Sequence, residues 1–173
     1  MVKKCNVPHL AAQPSPQQLP SQAAHIMQLP TASSNALSWA AGFFDGDGTV
    51  IISKQQLPKR KNVTYRLRAC VVQNCKETLI HFLEVLGEDH CLVKVRRQIA
   101  HNRQIFSLNY EGSHALAVLR KLEPHLVRKK IEALAAFQFW NEARMGTLPG
   151  PMGFPPEVWR SREYWRAKLH DLK

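Results

Sequence analysis

A chain of 173 residues has room for one domain with a sizeable core and roughly thirty residues to spare at each end, but not for two full domains. Lys and Arg number 24 against 13 Asp and Glu, a formal net charge of +11, so the surface attracts an anionic partner, with nucleic acid the first candidate. No run approaches the roughly 18 apolar residues of a spanning helix and nothing resembles a secretory leader, which sets a membrane partner aside.

Residues 1–35 hold Pro8, Pro14, Pro16, Pro20 and Pro30 among Gln, Ser and Ala, with no acid, and read as a disordered extension. A transit peptide shares the lack of acid but is rich in Arg, and this segment has only Lys3 and Lys4. The domain is expected over 36–145. Asn35 or Ser38 can cap a helix running through Trp39, Gly42 and Phe44 to about Gly46. A β-branched strand over 49–55, a turn over 57–62 and an alternating strand over 63–72 then make a long hairpin. On its second strand Tyr65, Leu67, Ala69 and Val71 share the core face, and Thr64, Arg66, Arg68 and Cys70 the other.

Leu79, Ile80, Phe82, Leu83 and Leu86 give 76–86 helical spacing, and Gly87 stands where that helix would stop. Strands follow near 91–98 and 104–110, joined by a polar turn at His101 and Asn102. Helices are expected over 113–122 and 127–144, separated by Glu123-Pro124. The order is α-β-β-α-β-β-α-α in a single copy. Residues 146–173 begin as a Pro/Gly-rich linker and end in a basic, aromatic segment with Trp159, Tyr164 and Trp165, either a docked helix or a loose tail.

The placement of acid says more than its total. Between Asp47 and Glu77 there is none, yet Lys54, Lys59, Arg60, Lys61, Arg66, Arg68 and Lys76 occur; between Asp89 and Glu111 there is none beside Lys94, Arg96, Arg97 and Arg103. Protection of strand edges accounts for single charges but not for this pattern. A sheet face so charged can lie along a DNA major groove. The four cysteines form no CxxC pair and the histidines no HxxxH or HExxH spacing, so metal chemistry is to be sought in carboxylates.

The sharpest feature is Ala40-Ala41-Gly42-Phe43-Phe44-Asp45-Gly46-Asp47-Gly48. An EF-hand loop beginning at Asp45 would need Gly and Glu where Val50 and Gln56 stand, and no phosphate-loop glycine pattern fits. The nonapeptide resembles the signature of the LAGLIDADG homing endonucleases, with Ala40 for the leading Leu. The element order is similar to that family's α-β-β-α-β-β-α core over residues 36–142. Gln73 and Lys129 also match single-motif members, with Arg128 and Lys130 as register alternatives, while Glu77 falls where the family often has a basic residue.

The resemblance implies an α+β fold whose basic antiparallel sheet forms a saddle on double-stranded DNA. One motif per chain implies a homodimer meeting through Ala41, Gly42, Asp45 and Gly46, the glycines permitting close backbone approach. Asp47 and the Gly46 carbonyl would bind Mg²⁺, with other divalent cations able to substitute; Gln73 would orient the attacking water and Lys129 stabilise charge; Asp45 would hold backbone. Strand phase nominates Ser53, Gln55, Thr64, Arg66, Arg68, Lys94, Arg96, Gln98 and Arg103 for DNA contact, with Ile51 placed to meet a thymine methyl. The implied activity is a double-strand break in a long, pseudo-palindromic target for intron homing. An RNA-binding splicing maturase of the host intron and a cleavage-inactive DNA binder are the alternatives. A chloroplast or mitochondrion is the expected setting, with a bacterium or phage as alternatives.

Overall fold

The computed structural model describes residues 33–56, 63–87, 91–96 and 103–173. Of the disordered extension expected over 1–35, residues 1–32 lie outside the described residues, as do the turn over 57–62, Gln98 and the His101-Asn102 turn, while Ser34 and Asn35 are helical.

Helix α1 (Ser34–Asp47) is capped by Ser33, whose hydroxyl accepts the Ala36 amide at 3.3 Å, rather than by Asn35 or Ser38. The Ser38 hydroxyl instead lies 3.0 Å from His125 Nδ1. Ala40, Ala41 and Phe44 face inward. The helix stops at Gly48, whose N–H caps Phe44 O, and a Cβ at that position would lie only 2.4 Å from the Phe44 ring. Glycine is therefore obligatory where the chain turns from helix into strand β1 (Gly48–Gln56).

Strand β1 pairs antiparallel with β2 (Val63–Gln73), from Gly48 opposite Val71 to Gln56 opposite Val63. Helix α2 (Lys76–Leu86) ends at Gly87, which adopts φ 62°, a left-handed conformation glycine tolerates best. Among the described residues strand β3 is Lys94–Val95, so 91–93 of the expected 91–98 are not strand, although the Arg96 N–H still donates to Ile105 O; β4 is Phe106–Glu111. The sheet runs β1-β2-β4-β3, antiparallel throughout. Helix α3 (Ser113–Leu122), a 3₁₀ turn (Glu123–His125), α4 (Lys130–Glu142) and α5 (Pro156–Asp171) complete the chain.

The helices cover one sheet face. Val50, Ile52, Tyr65, Leu67, Ala69, Val71, Leu108 and Tyr110 point into the core as the alternation requires. Phe82 of α2 stacks on Phe44 at 6.4 Å and meets Phe43 edge-on at 5.5 Å, fixing α1 against α2. The C-terminal segment is a docked helix and not a loose tail. Val158, Arg162, Trp165 and Leu169 form its buried stripe. The Trp165 indole N–H donates to Glu142 at 2.7 Å, and Arg162 Nε donates to the Ala143 carbonyl at 3.1 Å. Glu163 accepts from the Tyr65 hydroxyl and pairs with Lys54 at 3.1 Å, so Lys54, counted above with the hairpin cations, belongs to the helix-covered side.

Replacing Phe82 by Ala should empty the α1–α2 joint and cost about 3–5 kcal/mol, read as a lower midpoint in urea unfolding.

Candidate nucleic-acid interface and active site

Opposite the helices lies an open strand face. The register sets Thr49 beside Cys70, Ile51 beside Arg68, Ser53 beside Arg66 and Gln55 beside Thr64. Across β2, Arg68 pairs with Glu111, Cys70 with Asn109 and Val72 with Ser107; Lys94 lies opposite Ser107. Ser53, Gln55, Thr64, Arg66, Arg68, Lys94 and Arg96 thus share one face by alternation. Arg103 lies off the strands and borders a groove of about 390 Å³ with Val72, Gln73, Asn74 and Ile105. One feature departs from the expectation of acid-free strands: β4 ends in Glu111, on this face, with its carboxylate against both strand arginines.

The other cluster gathers at the end of α1. The Asp45 carboxylate accepts three backbone amides, Val127 at 2.8 Å, Arg128 at 3.1 Å and Lys129 at 2.8 Å. From another helix it holds the turn that leads into α4, up to the N-cap Lys129, and with those amides committed to Asp45 the helix starts at Lys130 and not at Val127. Burial of the Asp45 carboxyl works against its ionisation, but the bonds from Val127, Lys129 and Arg128 outweigh that and hold it below its ordinary range. Of the register alternatives, Lys129 is the one brought to the motif. It is 3% exposed and its ammonium donates to the Asp45 carbonyl, whereas Arg128 is exposed and Lys130 pairs with Glu123 at 3.3 Å.

Burial lowers the Lys129 ammonium and Arg128 adds to this, while Glu132, Asp45 and Asp47 pull it back. Glu132 is a residue the sequence reading passed over. It is buried within α4, and desolvation raises its carboxyl. Glu132 and Lys129 border a cavity of about 210 Å³ with Gly48, Thr49 and Lys173.

Asp47 is exposed at the last position of α1, and Gln73 Nε2 donates to its Oδ2 at 2.8 Å while Gln73 Oε1 accepts the Asn74 amide at 2.8 Å. Asp47, Gln73 and Lys129, from α1, the end of β2 and the α4 cap, therefore converge. Glu77 has a local role in place of the basic residue expected there. In the first turn of α2 its carboxylate accepts its own backbone N–H and the Cys75 thiol, which hold it below its ordinary range. Cys75 itself makes no side-chain cap bond.

Among the described residues no group of three or more His, Cys, Asp or Glu could hold a metal ion. Asp47 offers a single carboxylate, so a cation there needs oxygens from outside the protomer. Of the residues assigned to self-association, Gly42 and Gly46 are exposed and a Cβ on either would meet nothing within 4 Å, and Asp45 is half-buried. Ala41 is fully buried inside the protomer, which corrects its assignment to the interface. Val127, whose amide Asp45 holds, and Ile131 are exposed apolar side chains at the start of α4. No described helix is long and apolar enough to cross a membrane.

No family model matches the sequence, and no curated protein matches it. Solved structures match in fold. The homing endonuclease I-CvuI, in complex with an I-CreI target in 2 mM Mg with the DNA not cleaved, superposes with TM-score 0.62 at 22% identity, covering 79% of this chain and 81% of that one. I-CvuI with its own target in 2 mM Ca gives 0.61 at 23% identity, with the same coverage. The archaeal intron-encoded homing endonuclease I-Vdi141I, complexed with DNA, gives 0.59 at 13% identity over 79% and 83%.

Asp45→Asn keeps the shape of the α4 cap but not its charge and should cost about 1–2 kcal/mol in urea at neutral pH. Because the folded carboxyl titrates below its unfolded value, its stabilisation is full above the unfolded value and is lost as pH falls through the folded one. The gap between parent and variant should therefore close in that acid window.

Proposed function

We propose that this chain, whose fold is that of the LAGLIDADG homing endonucleases, is a site-specific DNA endonuclease acting as a homodimer. The observation that carries the reading is a junction: the open strand face with its cations adjoins, at Gln73, the cluster of Asp47, Gln73 and Lys129. A duplex lying on that face would present its backbone to the cluster while base edges meet the strands.

Within the protomer nothing requires glycine at positions 42 and 46, and a second copy of α1 packed there supplies the reason. Twofold packing brings two Asp47 carboxylates to one place and favours a pseudo-palindromic target cut on both strands. Asp47 and the Gly46 carbonyl, with their counterparts and phosphate oxygens, are the groups that would hold Mg²⁺ or a substituting divalent ion. Bound there, the ion would polarise the phosphodiester and lower the pKa of water.

The chain's own residues do the rest. Gln73, fixed by Asn74, keeps an amide at the Asp47 carboxylate and can orient a water beside it. Lys129, buried and anchored, offers a positive charge that needs no reorganisation when charge builds on the phosphate. Cleavage of an intronless allele in support of intron homing is the biological role this activity fits. Convergence of all three side chains favours cleavage over binding of intron RNA as a maturase or of DNA alone.

Asp47→Asn should abolish cleavage, by at least about a hundredfold, while leaving duplex binding within a few-fold in a mobility-shift assay. Full activity in that variant would exclude the assignment. Gly42→Leu should turn a dimer into a monomer by light scattering and lose double-strand cutting, while its circular dichroism stays that of the parent.

A further inference from the structure

Among the described residues Glu111 is the only acidic residue within a strand, and it stands on the face that Arg66, Arg68 and Lys94 make positive. Its two carboxylate oxygens are divided between two cations: Arg66 Nη1 donates to Oε2 at 3.2 Å, and Arg68 Nε lies 3.1 Å from Oε1 without the alignment of a hydrogen bond. The strand register puts Glu111 directly opposite Arg68 on β4, and Arg66 on the same face two residues along β2. The Ser53 hydroxyl donates to the Arg66 carbonyl at 3.3 Å, holding the β1–β2 side of the group.

A free arginine on such a face seeks phosphate, the strongest and least sequence-dependent anion available. An arginine already paired along one edge is held in one orientation, with its remaining donors directed outward and less rotamer freedom left to lose. A carboxylate between two arginines also repels phosphate, so the backbone of a duplex is disfavoured at this spot and base edges are favoured.

We infer that Glu111 is a specificity-determining positioning residue, which clamps Arg66 and Arg68 so that they read bases in the groove rather than grip the phosphate backbone. The inference rests on the DNA-binding reading above and adds an element of discrimination to it.

The test selects bound sequences from a randomised duplex library with the parent dimer, Glu111→Gln, Arg66→Ala, Arg68→Ala and the combined Glu111→Gln variants, at matched salt. Glu111→Gln is expected to keep the parent's melting temperature and to lose about tenfold in discrimination. The loss should fall at the base pairs where the arginine variants lose it, with no further loss when the changes are combined. Affinity for unrelated duplex should rise, and its dependence on log salt steepen by about one unit. An unchanged base preference, or a loss at positions the arginine variants leave intact, would overturn the clamp. Should the parent select no sequence at all, the DNA-binding reading fails and the clamp falls with it.

Discussion

One carboxylate holds the working end of this fold together. Asp45 gathers the amides of Val127, Arg128 and Lys129, residues more than eighty positions away in the chain. Those three N–H groups belong to the turn that leads into α4 and ends at its N-cap, Lys129, whose own side chain makes no cap bond. The bond set therefore does two things at once: it sets where a helix begins and fixes the Lys129 backbone against the end of α1. Two residues on from Asp45, Asp47 emerges into solvent, where Gln73 from the far end of β2 reaches it. The mutual geometry of the three groups follows from a helix cap, a strand terminus and the Gly48 turn, each rigid for ordinary reasons of backbone chemistry.

Much of this was legible from residues alone. The helix at Lys76–Leu86 and that at Ser113–Leu122 are where apolar spacing puts them, and the two faces of β2 are those the alternation assigns. Local pattern suffices there because each element buries its own stripe. The start of α4 fails for the opposite reason: Val127, Arg128 and Lys129 carry no helix-breaking chemistry, and what excludes them is an acceptor on another helix. Ser33 was passed over as a cap because Asn35 and Ser38 are equally good capping residues nearby, and only the geometry chooses.

The C-terminal helix was obscured by a single cation. Its inward stripe is Val158, Arg162, Trp165 and Leu169, at helical spacing, but an arginine stands where an apolar residue would have completed the pattern. Arg162 is tolerated there because it caps the Ala143 carbonyl and lies 4.3 Å over Phe154 and 4.9 Å over Trp159. Burial holds its guanidinium below the ordinary range. The site was legible in its residue types, since the motif names Asp45 and Asp47. What the sequence could not show was the direction of side chains: that Ala41 turns inward while Gly42 turns out, or that Glu111 falls between two arginines.

The strict alternation of the hairpin has an evolutionary consequence. Every core residue of β2 is followed by one that faces away from the core, so the face read by a partner and the face that keeps the protein folded are separate alphabets written on the same strand. Exchanges at Gln55 or Thr64, on the face away from the core, carry little penalty in stability, generally within about half a kcal/mol. Such a surface can drift toward a new partner one position at a time while the fold stays put. Arg66, Arg68 and Glu111 are the exception, because three mutually engaged charges cannot change singly without leaving a companion unmatched. Variation among descendants of this chain should therefore be fluid across most of the saddle and move in concert at that one triad.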